Sequence, residues 1–194
     1  MINNDKIKIF FDSIASNWVN DNDINKIKSL LDIININKGD DVLDLGCGKG
    51  IITPLIYEYT QKQVDAMDIS NEMIKEAKKI NNKNCYNFIC ADFYNYDFNK
   101  KYDKVIIFDA YPHFLDKKLF KEKVLSILKD NGILAIVHDL SRKELNKYHD
   151  DHATMISIPL NEINLEYKKY ADEFISLKMI DDDSKYLLLL QKII

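Results

Sequence analysis

The sequence predicts an α/β protein with a doubly wound, mostly parallel sheet, and three observations predict it. The first is Asp41–Gly50, which reads DVLDLGCGKG. Val42, Leu43 and Leu45 are strand-compatible and apolar, with Asp44 set among them. Glycines follow at 46, 48 and 50, and then a helix through Ile51, Ile52, Leu55 and Ile56 with Pro54 in its first turn, where a missing N–H costs little. Strand, glycine turn and helix make the nucleotide-binding half of a doubly wound fold. The second observation is scarcity: the chain has five glycines and three lie in these ten residues. That clustering implies a backbone that must approach a ligand closely. The third is alternation, since short apolar strands and helical stripes follow one another from 41 to 138.

The chain of 194 residues is long enough for one domain with a sizeable core. Its 27 Lys and Arg against 31 Asp and Glu give a net charge of −4, which offers no general attraction to nucleic acid or to an anionic membrane. Cys47, Cys85 and Cys90 form no C-x-x-C pair, so neither a disulfide framework nor a cysteine zinc site is expected. The opening residues lack the apolar run of a signal peptide, and no segment approaches the length of a membrane helix. The expected location is cytoplasmic.

Taken in order, residues 5–34 read as two amphipathic helices. Ile7, Phe10, Phe11, Ile14 and Trp18 form one stripe, and Ile24, Ile27, Leu30, Leu31 and Ile34 the other. The strand 42–45 and its helix come next, then a strand at Val64–Asp68. Asp68 stands 24 positions after Asp44; in dinucleotide folds a ribose-binding acid stands about 20 residues beyond the glycine turn. Ser70 is placed to cap the helix through Lys78. A third strand, Tyr86–Cys90, runs into Ala91-Asp92-Phe93, and a fourth, Tyr102–Asp109, into Ala110-Tyr111-Pro112-His113. A helix over 117–128, a turn at 129–132 and a fifth strand at 133–138 follow. Ser141 and Glu144 have capping-box spacing. A helix over 161–170 and strands at 174–179 and 186–193 close the chain.

The glycine spacing is G-x-G-x-G, neither the dinucleotide G-x-G-x-x-G nor a P-loop. The run DVLDLGCGKG closely resembles motif I of the class I S-adenosylmethionine-dependent methyltransferases. Asp68 to Lys78 resembles the family's D-x-S-x-x-M-x-x-x-A-K segment, and LKDNGIL at 128–134 is similar to its L-K-P-G-G-x-L run. The resemblance implies a Rossmann-like, seven-stranded sheet closed by an antiparallel C-terminal hairpin. It implies S-adenosylmethionine as cofactor and S-adenosylhomocysteine as its product. Asp44 and the turn of Gly46, Cys47, Gly48 and Gly50 would hold the methionine part; Asp68, with Ile69 and Met73 in its segment, the ribose; and Ala91, Asp92 and Phe93 the adenine. Asp109, at the end of the fourth strand, joins this cofactor set. Phe11-Asp12 through Trp18 is similar to a segment that forms part of a lid in small-molecule methyltransferases, which implies a helical lid over residues 1–38. Residues 109–116 loosely resemble the N-A-x-x-H-x-x-x-D loop of quinone-type enzymes, with His113 and Asp116 in the corresponding places.

The function expected is therefore methyl transfer to a small-molecule acceptor by in-line displacement. Asp109-Ala110-Tyr111-Pro112 lacks the double proline of nucleic-acid amino-methyltransferases, and no nucleic-acid or membrane partner is expected. The alternatives are a nucleic-acid or protein methyltransferase and a non-catalytic cofactor-binding protein. The four histidines, His113, His138, His149 and His152, all follow the fourth or fifth strand. His113 and His138 are the candidate catalytic bases. Trp18, Tyr111, Arg142 and His149 are the candidate acceptor-binding residues, within or facing a substrate-side insert over 139–160. Arg142 is the chain's only arginine and is expected to meet an anionic group on the acceptor. His149 and His152 have helical spacing for a metal pair, with Asp109, Asp139, Asp150 and Asp151 nearby in sequence; that signal is weak, and no metal is expected.

Overall fold

The structure, a computed structural model, describes residues 4–19, 22–152 and 155–194, and of His152 the backbone alone. Seven strands form one sheet in the order β3-β2-β1-β4-β5-β7-β6. Strands β1 (Val42–Leu45), β2 (Val64–Asp68), β3 (Tyr86–Cys90), β4 (Tyr102–Phe108) and β5 (Leu128–His138) are mutually parallel. β7 (Tyr186–Lys192) runs antiparallel between β5 and β6 (Phe174–Asp181). The strand order reverses between β1 and β4, and ligands of open α/β sheets bind outside the carboxyl ends of strands at such a point.

Alternation along the strands sends side chains to two cores. Leu43, Leu45, Val105, Ile107, Leu134 and Ile136 face α5 (Lys117–Ile127). Val42, Ile106, Ala135 and Val137 face α2 (Ile24–Ile34) and α3 (Thr53–Thr60). Nearly all of these side chains are fully buried, and each apolar side chain so removed from water contributes about 1.5–3 kcal/mol before entropy is counted. The helix starts are held where the sequence implied. Ser70 Oγ accepts from Met73 N at 3.1 Å to open α4 (Asn71–Ile80), Asp116 caps α5 through Leu119 N, and Ser141 and Glu144 form a reciprocal capping box at α6 (Arg142–His152).

Three local expectations are corrected. The turn at 129–132 lies inside β5, as an irregularity where Asn131 takes φ 61° and the register with β4 shifts. The late helix α7 is shorter than expected, Ile163–Tyr167. The helical lid is narrower than residues 1–38, because α2 buries Ile27, Leu30, Leu31 and Ile34 in the core. Of the described residues before 38, those that line the cavity at the carboxyl end of the sheet come from α1 (Asn4–Ile14), Asn17, Trp18, Val19 and Asn22. Among the described residues no helix is long and apolar enough to cross a membrane.

Candidate cofactor and acceptor site

A cavity of about 590 Å³ opens at the carboxyl ends of β1, β2, β3, β4 and β5. Its floor begins at the glycine turn. Gly46 N and Cys47 N donate to Met67 O at 2.8 and 3.0 Å, tying the turn to β2. Gly46 has φ +76°, and a Cβ there would lie 2.6 Å from Ala110 Cβ. The turn after β1 and the turn after β4 therefore touch at a point where only glycine fits.

Asp68 ends β2 with each carboxylate oxygen engaged by one backbone N–H: Oδ2 by Gly48 and Oδ1 by Ser70, both at 2.8 Å. Burial pushes its pKa upward against those two bonds. An ionised carboxylate has about four acceptor sites, so two remain for a diol. Asp92 takes Tyr94 N at 3.0 Å and the Asn95 amide at 2.7 Å, and across the cavity the Asn4 amide of α1 at 3.0 Å. An NH₂ donor at that carboxylate is the chemistry an exocyclic adenine amine would offer. Cys47, Ile69, Met73, Ala91 and Phe93 line the walls between these acids. The residues present thus fit an adenosyl group.

Two expected cofactor residues stand back from the cavity. Asp44 is 1% exposed and takes the Thr53 hydroxyl at 2.6 Å. Burial raises its pKa to about 7, and Asp68 adds to the rise. It fixes the start of α3 to the end of β1, holding the turn between them. Gly50 has no place in the lining; a Cβ there would meet the Phe88 ring at 2.9 Å, so its role is packing.

The far end lies over β4 and β5. Asp109 follows β4 with φ 53°, a backbone conformation that aspartate tolerates better than most residues. Its Oδ1 accepts from Asp139 N at 3.1 Å. The Asp139 carboxylate accepts from Asn22 Nδ2 at 2.8 Å, and the Lys26 ammonium binds the Asp139 backbone carbonyl. Burial and the adjacent Asp109 raise the Asp139 pKa. His113 lines the cavity, its ring 5.1 Å from that of His149 and 4.9 Å from that of Phe11. His113 Nδ1 meets Ile156 O at 3.0 Å; a carbonyl only accepts, so Nδ1 carries the hydrogen and Nε2 the lone pair. Burial lowers its pKa to about 3. His149, from α6, also lines the cavity, and burial lowers its pKa.

α1 closes the roof with Ile7, Phe10 and Phe11, and Trp18 continues it. The roof is latched to α4 by Asp12, which accepts from Ser70 Oγ at 2.7 Å and Glu72 N at 3.1 Å. Burial would raise the Asp12 pKa, but Lys8, Ser70 and the Glu72 N–H outweigh it and hold it at about 2. A second latch is Lys49 Nζ on Trp18 O at 2.7 Å.

Three acceptor-side expectations are corrected. His138 lies outside the lining, fully buried, with Nδ1 3.3 Å from Asp109 Oδ1 and neither ring nitrogen hydrogen-bonded among the described residues; it does not reach an acceptor. Tyr111 is fully buried, bonded to Glu166 and Tyr170. Arg142 Nε pairs with Asp181 at 2.8 Å, tying α6 to β6 outside the lining. Trp18 and His149 do line the cavity, as do Leu140, Leu145 and Tyr148 of the insert. The His149–His152 pairing lies outside the described residues, and among those described no metal-binding cluster forms. Sequence reasoning missed Asp139 as a lining acid, although an acid directly after a strand is the signal that found Asp68 and Asp92.

The sheet order, the hairpin and this cavity agree with one family, and its model, described as a methyltransferase domain, matches residues 36–185. The chain belongs to that family. Its fold is that of the class I S-adenosylmethionine-dependent methyltransferases. The chain is 32% identical over 152 residues to a malonyl-[acyl-carrier protein] O-methyltransferase of Ilyobacter polytropus, covering 75% of this chain and 55% of that protein. It is 27% identical over 107 residues to the (S)-coclaurine N-methyltransferase of Thalictrum flavum subsp. glaucum, covering 53% of this chain and 30% of that protein. The chain thus spans about half, or less, of the length of these relatives. The N-methyltransferase NodS of Bradyrhizobium japonicum WM9, solved with S-adenosyl-L-homocysteine, superposes with a TM-score of 0.73 at 9% identity over 95% of this chain and 97% of that one. At that identity the likeness speaks for the fold alone.

Proposed function

We propose that this chain transfers a methyl group from S-adenosylmethionine to a small-molecule acceptor held beneath α1. The observation that carries the reading is the continuity of one cavity from the Asp68 and Asp92 carboxylates to the His113, His149 and Asp139 end. Asp68 would take the ribose hydroxyls and Asp92 the adenine amine, while the Gly46–Gly48 turn leaves room for the methionine part. When bound, S-adenosylmethionine supplies a methyl on a sulfonium, and its transfer forms one bond to the acceptor as the sulfur–carbon bond breaks and leaves its electron pair on sulfur.

The chain's own residues orient and enclose. Ile7, Phe10 and Phe11 shield the centre from water, which strengthens every polar contact inside. His113 offers an Nε2 lone pair but is too weakly basic to hold a proton near neutral pH, so it suits orienting an acceptor N–H or O–H. The closed roof and the net charge of −4 favour a small acceptor over a nucleic acid. One relative's name gives an acyl-carrier-protein-linked acceptor and another an alkaloid, both compatible with a small reacting group at this end.

The test is to incubate the chain with cofactor labelled in its methyl group and fractionated cell extract. Label is expected in the small-molecule fraction. Label confined to nucleic acid, or to protein in a form that mild hydrolysis of carrier-linked groups does not release, would overturn the reading.

A further inference from the structure

The lining of the cavity is lopsided in charge. Among the described residues four carboxylates reach it, Asp68, Asp92, Asp109 and Asp139, against one lysine, Lys49. Lys49 is turned to the Trp18 carbonyl. Asp68 and Asp92 belong to the cofactor half. Asp109 and Asp139 stand together at the ends of adjacent strands, linked through the Asp139 N–H. Lys26 comes close, but its ammonium holds the Asp139 backbone carbonyl. Two carboxylates this near one another in a partly buried place favour a cation or a shared proton between them.

An independent observation points the same way. His149 is 4% exposed and lines this end, and its Nδ1 has no hydrogen-bond partner among the described residues. Buried polar atoms are normally paired. The remaining wall is aromatic, with Phe11, Trp18 and Tyr148, and ring faces attract cations.

We infer that the acceptor is a small amine that binds as its ammonium cation between the Asp109 and Asp139 carboxylates and the His149 ring, against Phe11, Trp18 and Tyr148, so that the methyl group lands on nitrogen. This rests on the methyl-transfer reading and names its substrate class. A carboxylate acceptor would meet two like charges, with the one lysine in the lining among the described residues engaged elsewhere. Before attack the ammonium gives one proton to the Asp139 carboxylate, which frees the nitrogen lone pair. That pair forms the nitrogen–carbon bond as the sulfur–carbon bond breaks, sulfur keeps the bonding electrons, and the product leaves as an N-methylammonium cation.

The experiment uses the full chain and calorimetry. S-adenosylhomocysteine is titrated first; no binding would remove the parent reading and this inference with it. The saturated protein is then titrated with three probes of similar shape: 2-phenylethylamine, 2-phenylethanol and 3-phenylpropionate. The amine is expected to bind at least about tenfold tighter than either other probe, as a charge-paired contact should. Asp139→Asn should remove most of that preference while S-adenosylhomocysteine affinity stays the same, and Asp109→Asn serves the same purpose if the first variant does not fold. With S-adenosylhomocysteine bound, a carboxylate that binds as tightly as the amine, or an amine no better than the alcohol at any level, overturns the inference.

Discussion

Over β1–β3, Asp68 is set by two backbone N–H groups from the turn and the helix that flank it in space. Over β4 and β5, Asp139 is set by a side-chain amide 117 residues away, on the stretch that follows the roof helix. The first arrangement comes with the fold and is complete before any lid closes. The second draws on the stretch after the roof helix for Asn22 and on the core helix α2 for Lys26. The end proposed for the cofactor is thus built from backbone, and the end proposed for the acceptor is assembled from side chains on separate elements, the usual way specificity varies on a constant scaffold.

The sharpest way to break this comparison is at the point where the two ends touch. Gly46→Ala places a methyl 2.6 Å from Ala110 Cβ at φ +76°, which should cost about 3–5 kcal/mol of stability from strain and overpacking together. Gly48→Ala, at φ +52° with no atom within 4 Å of the added Cβ, should cost about 1 kcal/mol. Denaturant unfolding of the two variants measures the gap. Equal losses would mean that the contact between the turns does not constrain the fold.

The two ends should also respond to pH in opposite senses. Asp44 is raised from 3.8 to about 7, chiefly by burial. The folded state therefore binds the extra proton, and stability from this group falls as pH rises from 3.8 to about 7. His113 is lowered from 6.5 to about 3 by burial. There the unfolded state binds the extra proton, and stability falls as pH drops from 6.5 to about 3. Each effect reaches at most about 4–5 kcal/mol. The two windows overlap between 3.8 and 6.5, where the contributions offset each other in wild type, so unfolding free energies across that range should rise with pH in Asp44→Asn and fall with pH in His113→Gln. Profiles parallel to wild type would contradict the burial of these groups.

What was legible in the sequence follows the same division. The turn at 46–49, the acid at 68 and the acid at 92 are expected at the carboxyl ends of their strands and line the cavity there, and each placement is local: a strand, a turn and the residue that ends them lie within a few positions. Two residues expected there lie outside the lining, because a strand's periodicity does not say which side of a turn faces the cavity: Asp44 accepts from Thr53, and Gly50 packs where a Cβ would meet the Phe88 ring. On the acceptor side the failures are long-range. Nothing near Arg142 in sequence announces Asp181, 39 residues on. Nothing near Tyr111 announces Glu166 or Tyr170. The latch of Asp12 on Ser70 spans 58 residues, and the inclusion of α2 in the core depends on contacts with Ile106 and Leu187 that only the assembled sheet provides.

The division of the cavity is tested most directly by titrating S-adenosylhomocysteine into wild type, Asp68→Ala and Asp139→Asn by calorimetry. Asp68→Ala should bind it about 10- to 100-fold more weakly, the effect of losing hydrogen bonds to a charged acceptor. Asp139→Asn should bind it within about twofold of wild type, as expected for a separate site. An unchanged affinity in Asp68→Ala, or an equal loss in both variants, would contradict the account.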